Sequence, residues 1–109
     1  MAHNVSILSR IVGVYRGFNH EKISIGTAAT SLTVASYAPS GSTPAQAAII
    51  TCETGQIRYR YDGTAPTSTT GHLLSPGGSV IIHDSKNIEQ FQAIVPGTAA
   101  AALSVSYER

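Results

Sequence analysis

Short runs of alternating apolar and polar residues most restrict how this chain of 109 residues can fold. In the clearest run, residues 101–108, Leu103, Val105 and Tyr107 alternate with two serines and a glutamate. Neighbouring side chains of a strand point to opposite faces, so this period predicts a strand that is covered on one side. Glycine and proline interrupt the sequence at short intervals, and no helical apolar period is sustained beyond the first turns. The sequence therefore predicts a nearly all-β fold.

About seven short strands are predicted, two of them in a central hairpin within residues 47–62. The other five lie at residues 23–26, 31–37, 79–84, 88–95 and 101–108. Turn residues separate them, as at 85–87 and 96–98. Strands of this number and spacing indicate a single β-sandwich that is jelly-roll-like.

The N-terminal segment lacks this strand pattern. Its apolar residues suit a helix or a strand, but Gly13 and Gly17 weaken a helix. A chain of this length fits one domain. We therefore predict an N-terminal arm at residues 1–20 and a β-sandwich domain at residues 21–109.

The central hairpin is predicted from Thr54 and Gly55, which suit a two-residue turn because glycine accepts a positive φ. In this register Glu53 pairs with Gln56, and Glu53 lies within reach of Arg58 for an ion pair. One face then collects the apolar side chains Ala48, Ile50, Cys52, Ile57, Tyr59 and Tyr61. The tyrosines are predicted to point into the core and the arginines outward, with Cys52 as a small buried residue.

Charge and composition argue against several functions. Seven lysines and arginines against six acidic residues give a net charge of +1, which disfavours general binding of nucleic acid. Only 12% of the residues are charged, which hints at surface buried against partners. No apolar run approaches about 20 residues, and no signal peptide is recognisable. The sequence predicts no membrane contact and synthesis in a cytoplasm.

No catalytic or metal-binding motif is evident. The only candidate ligand set is His3, His20, His72 and His83 with Asp62 and Asp84. A cupin-type jelly roll would need paired histidines on a strand, where this chain reads "RYRYD". No serine lies in a nucleophile elbow, and Cys52 has no evident histidine partner. We expect no enzyme activity, no metal and no cofactor.

The run "RYRY" at residues 58–61 could stack bases and bind phosphates. Strand alternation places its rings and guanidinium groups on opposite faces, so no specific nucleic-acid site is predicted. The following loop, residues 63–78, has two interpretations: it folds over the end of its own sandwich, or it contacts another subunit.

A longer motif runs through the second half of the chain. It comprises "GQIRYRYDGTAPT" at residues 55–67, "GHLL" at 71–74, "SPGG" at 75–78 and "LSVSY" at 103–107. With these segments, residues 48–107 resemble a group of small virion proteins of tailed bacteriophages. The resemblance covers somewhat over half of the chain and implies a structural role rather than a reaction.

The resemblance implies a non-enzymatic component of the virion, and within that class we favour a capsid decoration or cement protein. Such a protein would bridge major capsid proteins and form a homo-oligomer, with a trimer favoured. The predicted contacts are Arg58, Arg60, Thr64, Pro66 and His72 with Ile7, Leu8 and Ile11 of the arm. The alternatives are a tail or head-to-tail connector component, a carbohydrate-binding tail module and a degenerate cupin-like enzyme.

Overall fold

Residues 15–109 form eight strands and two short helices in the computed structural model, which describes this part of the chain. In chain order the elements are β1 (Gly17–Ile25), β2 (Thr30–Ser31), α1 (Val34–Tyr37), β3 (Ala47–Thr54), β4 (Ile57–Arg60), β5 (His72–Leu74), β6 (Ser79–His83), α2 (Ser85–Gln90), β7 (Gln92–Ile94) and β8 (Ala101–Glu108). The all-β class predicted from the alternation is confirmed.

The strands make two four-stranded antiparallel sheets. Sheet A has the order β1-β8-β3-β6, and sheet B has the order β2-β7-β4-β5. The first strand pairs with the last, the second with the seventh, the third with the sixth and the fourth with the fifth. This nested pairing is that of one long antiparallel ribbon, which the pairs β3–β8 and β4–β7 close into two sheets. The jelly-roll-like sandwich stays a prediction, whereas the two antiparallel sheets are shown.

A single cluster of buried apolar side chains joins the two sheets. Sheet A contributes Ile23, Ile25, Ala48, Ile50, Cys52, Ile82, Ala101, Leu103, Val105 and Tyr107, and sheet B contributes Ile57, Tyr59, Leu74 and Ala93. No polar or charged residue is fully buried anywhere in residues 15–109. The prediction that Cys52 is a small buried residue is confirmed.

The predicted central hairpin is wrong. β3 pairs with β6 and β8 in sheet A, whereas β4 pairs with β5 and β7 in sheet B. The chain therefore crosses from one sheet to the other between Thr54 and Ile57. Glu53 forms its ion pair with Lys22 (Nζ to Oε1, 3.5 Å), so the predicted pair with Arg58 is also wrong.

The inward positions on β3 and β4 follow the prediction despite the wrong pairing. Both strands face the same core, one from each sheet, so the same alternation buries Cys52, Ile57 and Tyr59. Tyr61 was also predicted to be inward, but it is 40% exposed. β4 ends at Arg60, and beyond a strand end the alternation no longer fixes a side chain's direction.

Two predicted strands are partly helical. Residues 34–37 form α1, which leaves only Ser31 of the predicted strand at 31–37 in a sheet. Residues 85–90 form α2, which replaces both a predicted turn and the start of a predicted strand. The Asp84 side chain caps this helix by accepting a hydrogen bond from the Lys86 backbone N–H at 3.1 Å.

The described chain begins beside the C-terminal strand. β1 starts at Gly17, so residues 17–20 of the predicted arm lie in sheet A, paired with β8. Arg16 and Arg109 exchange backbone hydrogen bonds of 3.2 and 3.1 Å. The predicted arm contacts Ile7, Leu8 and Ile11 lie outside the described residues.

A polar contact ties β1 to β8 at the edge of the core. The buried Tyr107 hydroxyl donates a hydrogen bond to Glu21 Oε2, which also accepts one from the Thr33 backbone N–H at 3.3 Å. Burial, together with this bond to the Glu21 carboxylate, raises the pKa of Tyr107 far above its usual range. Tyr107 therefore remains protonated, and a hydrogen-bond donor, at neutral pH.

The crossing between the sheets depends on Gly55. Its φ of +71° lies in the left-handed region, and a Cβ there would lie 2.7 Å from the Ala100 carbonyl oxygen and 2.8 Å from the Ala101 Cα. The Cys52 thiol donates a hydrogen bond to the Gly55 carbonyl oxygen at 3.1 Å. The crossing thus packs against the first residue of β8, and only glycine fits.

Gly55→Ala is expected to destabilise the protein more than Gly41→Ala. Both glycines have positive φ, +71° and +76°, so each variant should lose about 1–2 kcal/mol for the left-handed backbone. A Cβ at Gly41 meets nothing within 4 Å, whereas one at Gly55 meets backbone atoms of β8. Urea unfolding should show an additional loss of about 1–3 kcal/mol for Gly55→Ala. Equal losses would contradict the close packing at the crossing.

Cys52 should give the protein a pH-dependent stability in the alkaline range. Burial raises the pKa of its thiol above the ordinary value of 9.0. Above about pH 9 the unfolded chain releases this proton while the folded chain keeps it, so the free energy of unfolding should fall with a slope of up to about 1.4 kcal/mol per pH unit. Cys52→Ala lacks this component, and urea unfolding of both proteins between neutral and alkaline pH isolates it. Parallel pH profiles would contradict it.

Candidate functional site

A surface hollow of about 500 Å³ lies where β4 ends and β5 begins. Five residues line it: Arg60, Tyr61, Asp62, Gly71 and His72. We call it the β4–β5 hollow. Its volume is within the range typical of small-molecule sites, and it combines ring faces with polar groups as such sites do.

A row of aromatic rings connects the core to the hollow. The buried Phe91 ring stacks on Tyr59 with a centroid separation of 5.5 Å, and Tyr59 lies 5.2 Å from the His72 ring. Tyr59 and His72 are register partners on β4 and β5, so their side chains share one side of sheet B. The exposed Tyr61 ring is nearly parallel to His72, with centroids 6.3 Å apart. The outer rings are thus supported from the core.

Arg60 and Asp62 form a paired charge on the rim of the hollow. Arg60 Nε donates to Asp62 Oδ1 at 3.1 Å, and Nη2 donates to Oδ2. Asp62 Oδ1 also accepts a hydrogen bond from the Thr64 backbone N–H at 3.3 Å. The hydrogen bond from Arg60 lowers the pKa of Asp62 and raises that of Arg60, so both groups stay charged at neutral pH.

Several polar groups around the hollow have no partner among residues 15–109. They are the hydroxyls of Tyr59 and Tyr61 and both ring nitrogens of His72. No buried side-chain nitrogen or oxygen in this range lacks a hydrogen bond, so the Tyr59 hydroxyl must reach solvent. Burial, and secondarily Tyr61, raises the pKa of Tyr59, which keeps its hydroxyl protonated as a donor. These groups are available to a ligand.

Arg58 supports the loop that forms one wall of the hollow. Its Nε donates to the Ser68 carbonyl at 3.0 Å and its Nη1 to the Gly71 carbonyl at 2.9 Å. No carboxylate among residues 15–109 pairs with Arg58, because these backbone oxygens engage two of its three nitrogens; a carboxylate at a subunit interface stays a prediction. At Gly71, φ is +134° and a Cβ would lie 3.1 Å from the Tyr59 carbonyl oxygen. The loop therefore folds over its own sheet, as the first of its two interpretations states.

The predicted contact residues are placed differently from one another. Arg60 and His72 line the hollow. Thr64 does not line it, but its backbone N–H donates a hydrogen bond to Asp62, which does. Pro66, itself a residue of the loop, is buried and packs close to Gly71. The segment predicted as one loop, residues 63–78, contains β5. Whether any of these residues contacts a subunit or a capsid stays a prediction.

Sequence reasoning missed Tyr61 and Gly71 as site residues, and it considered Asp62 only as a candidate metal ligand. It assigned Tyr61 to the core because "RYRY" alternates, and it separated the rings from the guanidinium groups on that basis. The separation is wrong at Arg60 and Tyr61, which line the same hollow because β4 ends between them. The pair Asp62 and Gly63 marks a strand end in the sequence and was the available signal.

The outer face of sheet A is a second surface of interest. Across its four strands one row reads His20, Ser106, Ile49 and Ile81, and the next reads Lys22, Ser104, Thr51 and Ser79. The His20 ring bridges Ser104 and Ser106, with both nitrogen–oxygen distances at 3.0 Å, and Thr51 bonds Ser79 at 2.8 Å. Ile81 is 51% exposed on the edge strand β6.

Residues 15–109 contain neither a cluster of metal-ligand side chains nor a membrane-spanning helix. Within residues 15–109 no three histidine, cysteine, aspartate or glutamate side chains converge as metal ligands would. No helix in this part of the chain is long and apolar enough to span a membrane. The absence of a cofactor and of catalysis stays a prediction from the sequence.

Comparison with known proteins gave no relative. No protein-family model, no curated protein and no solved structure matches the chain. The resemblance to phage virion proteins therefore stays an expectation drawn from the motif alone.

Arg58→Ala is expected to loosen the loop between β4 and β5. The variant loses two charged hydrogen bonds to backbone carbonyls, which should lower the free energy of unfolding by about 1–3 kcal/mol. Amide hydrogen exchange in residues 61–71 should become faster. The matched control is Arg60→Ala, which removes an exposed ion pair and should cost less stability. If both variants exchange equally fast in this loop, Arg58 does not hold it.

Proposed function

We propose that this protein is a non-enzymatic structural component of a tailed-phage virion, and specifically a decoration protein that binds the major capsid protein and stabilises the head. The structural role rests on the outer face of sheet A, whose composition suits contact with another protein. The assignment to a virion rests on the sequence motif within residues 55–107. A tail or connector component would use the same kind of surface.

The outer face of sheet A suits close approach by a flat partner. Small side chains make up half of its two central rows, and Ser104, Thr51 and Ser79 lie side by side on β8, β3 and β6, so a second surface can pack there at the distance typical of stacked sheets. Its hydroxyl groups are largely satisfied by each other and by His20. Covering them would leave few unpaired polar groups.

The low net charge of the outer face of sheet A and its exposed edge strand also favour this face as the protein contact. Lys22 and Glu53 neutralise each other at 3.5 Å, so that the middle of the face has little net charge. Ile81 projects from β6, which pairs with β3 alone. An edge strand that carries an exposed apolar side chain is a typical site of docking, since its free backbone groups can also pair.

The arginines of the central motif support a structural rather than a nucleic-acid-binding role. The Arg58 guanidinium bonds two carbonyls, and Arg60 is paired with Asp62. The Asp62 carboxylate neutralises the Arg60 charge, and two of the three Arg58 nitrogens are already engaged by the loop, so neither guanidinium is freely presented to a phosphate. Their contacts instead fix the end of sheet B.

Ile81→Glu is expected to abolish incorporation into virions, and Leu73→Glu is the matched control. Both residues are 51% exposed on edge strands, but Ile81 lies on sheet A and Leu73 on sheet B. Mass spectrometry of purified virions should find wild type and Leu73→Glu at equal ratio to the major capsid protein, with Ile81→Glu reduced roughly tenfold or more. Light scattering on the wild-type protein should give three times the monomer mass.

Two results would contradict the proposal in distinguishable ways. Absence of the wild-type chain from purified virions would remove the virion role. Equal incorporation of Ile81→Glu and Leu73→Glu would retain that role but exclude the outer face of sheet A as the contact.

A further inference from the structure

We propose that the β4–β5 hollow binds a neutral sugar ring, with one pyranose face packed on Tyr61 and His72 and adjacent hydroxyls bonded to Arg60 and Asp62. This site goes beyond the structural role proposed above and does not depend on it. The hollow lies at the end of sheet B, whereas the proposed protein contact lies on the outer face of sheet A.

The rings supply an apolar platform. Tyr61 is 40% exposed, and His72 beside it is exposed and nearly parallel, with an angle of 20° between the ring planes. One face of a pyranose carries mainly C–H groups, which pack on an aromatic face through dispersion and burial of apolar surface. An exposed, nearly parallel aromatic pair is suited to such a ligand.

The Arg60–Asp62 pair supplies donors and acceptors side by side. Arg60 uses Nε and Nη2 on Asp62, so Nη1 keeps both of its N–H donors free of partners in residues 15–109. The Asp62 carboxylate has about four lone-pair positions, of which Arg60 and the Thr64 N–H occupy three. Two neighbouring sugar hydroxyls match this arrangement, because one can accept from the guanidinium while the other donates to the carboxylate.

The charge of the hollow selects against ionic ligands. Among residues 15–109, the formally charged groups in its lining are Arg60 and Asp62, and they neutralise each other. A phosphate would meet the Asp62 carboxylate, and a cation would meet the Arg60 guanidinium. A neutral polyhydroxylated ligand avoids both repulsions, which favours a sugar over a nucleotide.

The hollow is held in shape before any ligand arrives. Tyr59 is stacked on the buried Phe91 and supports His72, while Arg58 fixes the opposite wall through the Ser68 and Gly71 carbonyls. A rigid site loses little conformational entropy on binding. This matters for a monosaccharide, whose few atoms limit its total binding free energy.

The test is a nitrogen-15 NMR titration of the full chain. The probes are glucose, galactose, mannose, N-acetylglucosamine and rhamnose, with adenosine and uridine as the competing planar class. At least one sugar should shift the amide signals of Tyr61, Asp62, Gly71 and His72, with half-saturation at roughly millimolar concentration. The nucleosides should not shift them.

Four variants assign the binding to the proposed groups. Tyr61→Ala should weaken binding about two- to tenfold, whereas Tyr61→Phe keeps the ring and should bind nearly as wild type. Asp62→Asn removes the charged acceptor and should weaken binding roughly tenfold. His72→Ala should weaken binding, and the matched control His83→Ala, at an exposed histidine of β6, should not.

Several outcomes would overturn the inference. They are no shift with any sugar at roughly 100 mM, shifts located away from the hollow, or shifts with a nucleoside alone. Equal binding by Tyr61→Ala and wild type would also overturn it. Ile81→Glu should bind the sugar as wild type does, so failure of the sugar site and failure of the virion contact are separate results.

Discussion

The crossing at Gly55 is the constraint on which the remaining structure depends. There the chain leaves sheet A and enters sheet B, against the backbone where β8 begins and with its carbonyl held by the buried Cys52 thiol. β3 and β4 can then face one core from two sides. Since β8 lies between β1 and β3, the same small contact also positions one of the two interior strands of sheet A. A side chain at this point would push apart elements that are distant in sequence.

The sequence predicted which side chains are buried better than which strands are neighbours. Alternation is local, so Ile57 and Tyr59 were assigned inward whatever strand lay beside them. Strand pairing depends on distant residues, and Thr54–Gly55 suits a hairpin turn and a sheet crossing equally well. What decides between them is the contact with Ala101, which lies almost fifty positions away and carries no local signal. The cap from Asp84 to α2 was local but was read as a turn.

The candidate site was predicted only in part for the same reason. Arg60 and His72 were named from their motif, but Tyr61 was placed in the core because alternation was extended past the end of β4. That end is set by the pairing partners of β4. β5 pairs with β4 as far as Tyr59, and β7 pairs with β4 as far as Arg60. Within residues 15–109, no strand residue pairs with Tyr61. Because Tyr61 lies beyond the paired part of β4, its side chain is exposed and lies beside His72. The hollow is therefore a product of the strand end.

The nested pairing of the strands has a consequence for how the protein is made. Of the eight strands in residues 15–109, β8 is synthesised after the other seven, yet it occupies the interior of sheet A and carries Leu103, Val105 and Tyr107 into the core. While the nascent chain stops short of residue 108, β1 and β3 have no strand between them and their apolar faces lack a cover. Sheet A can therefore be completed only after β8 has left the ribosome. Pairing β1 with β8 closes a loop that contains all the other strands, and such a long-range closure is slow. Until that moment the emerging protein depends on remaining unfolded without aggregating.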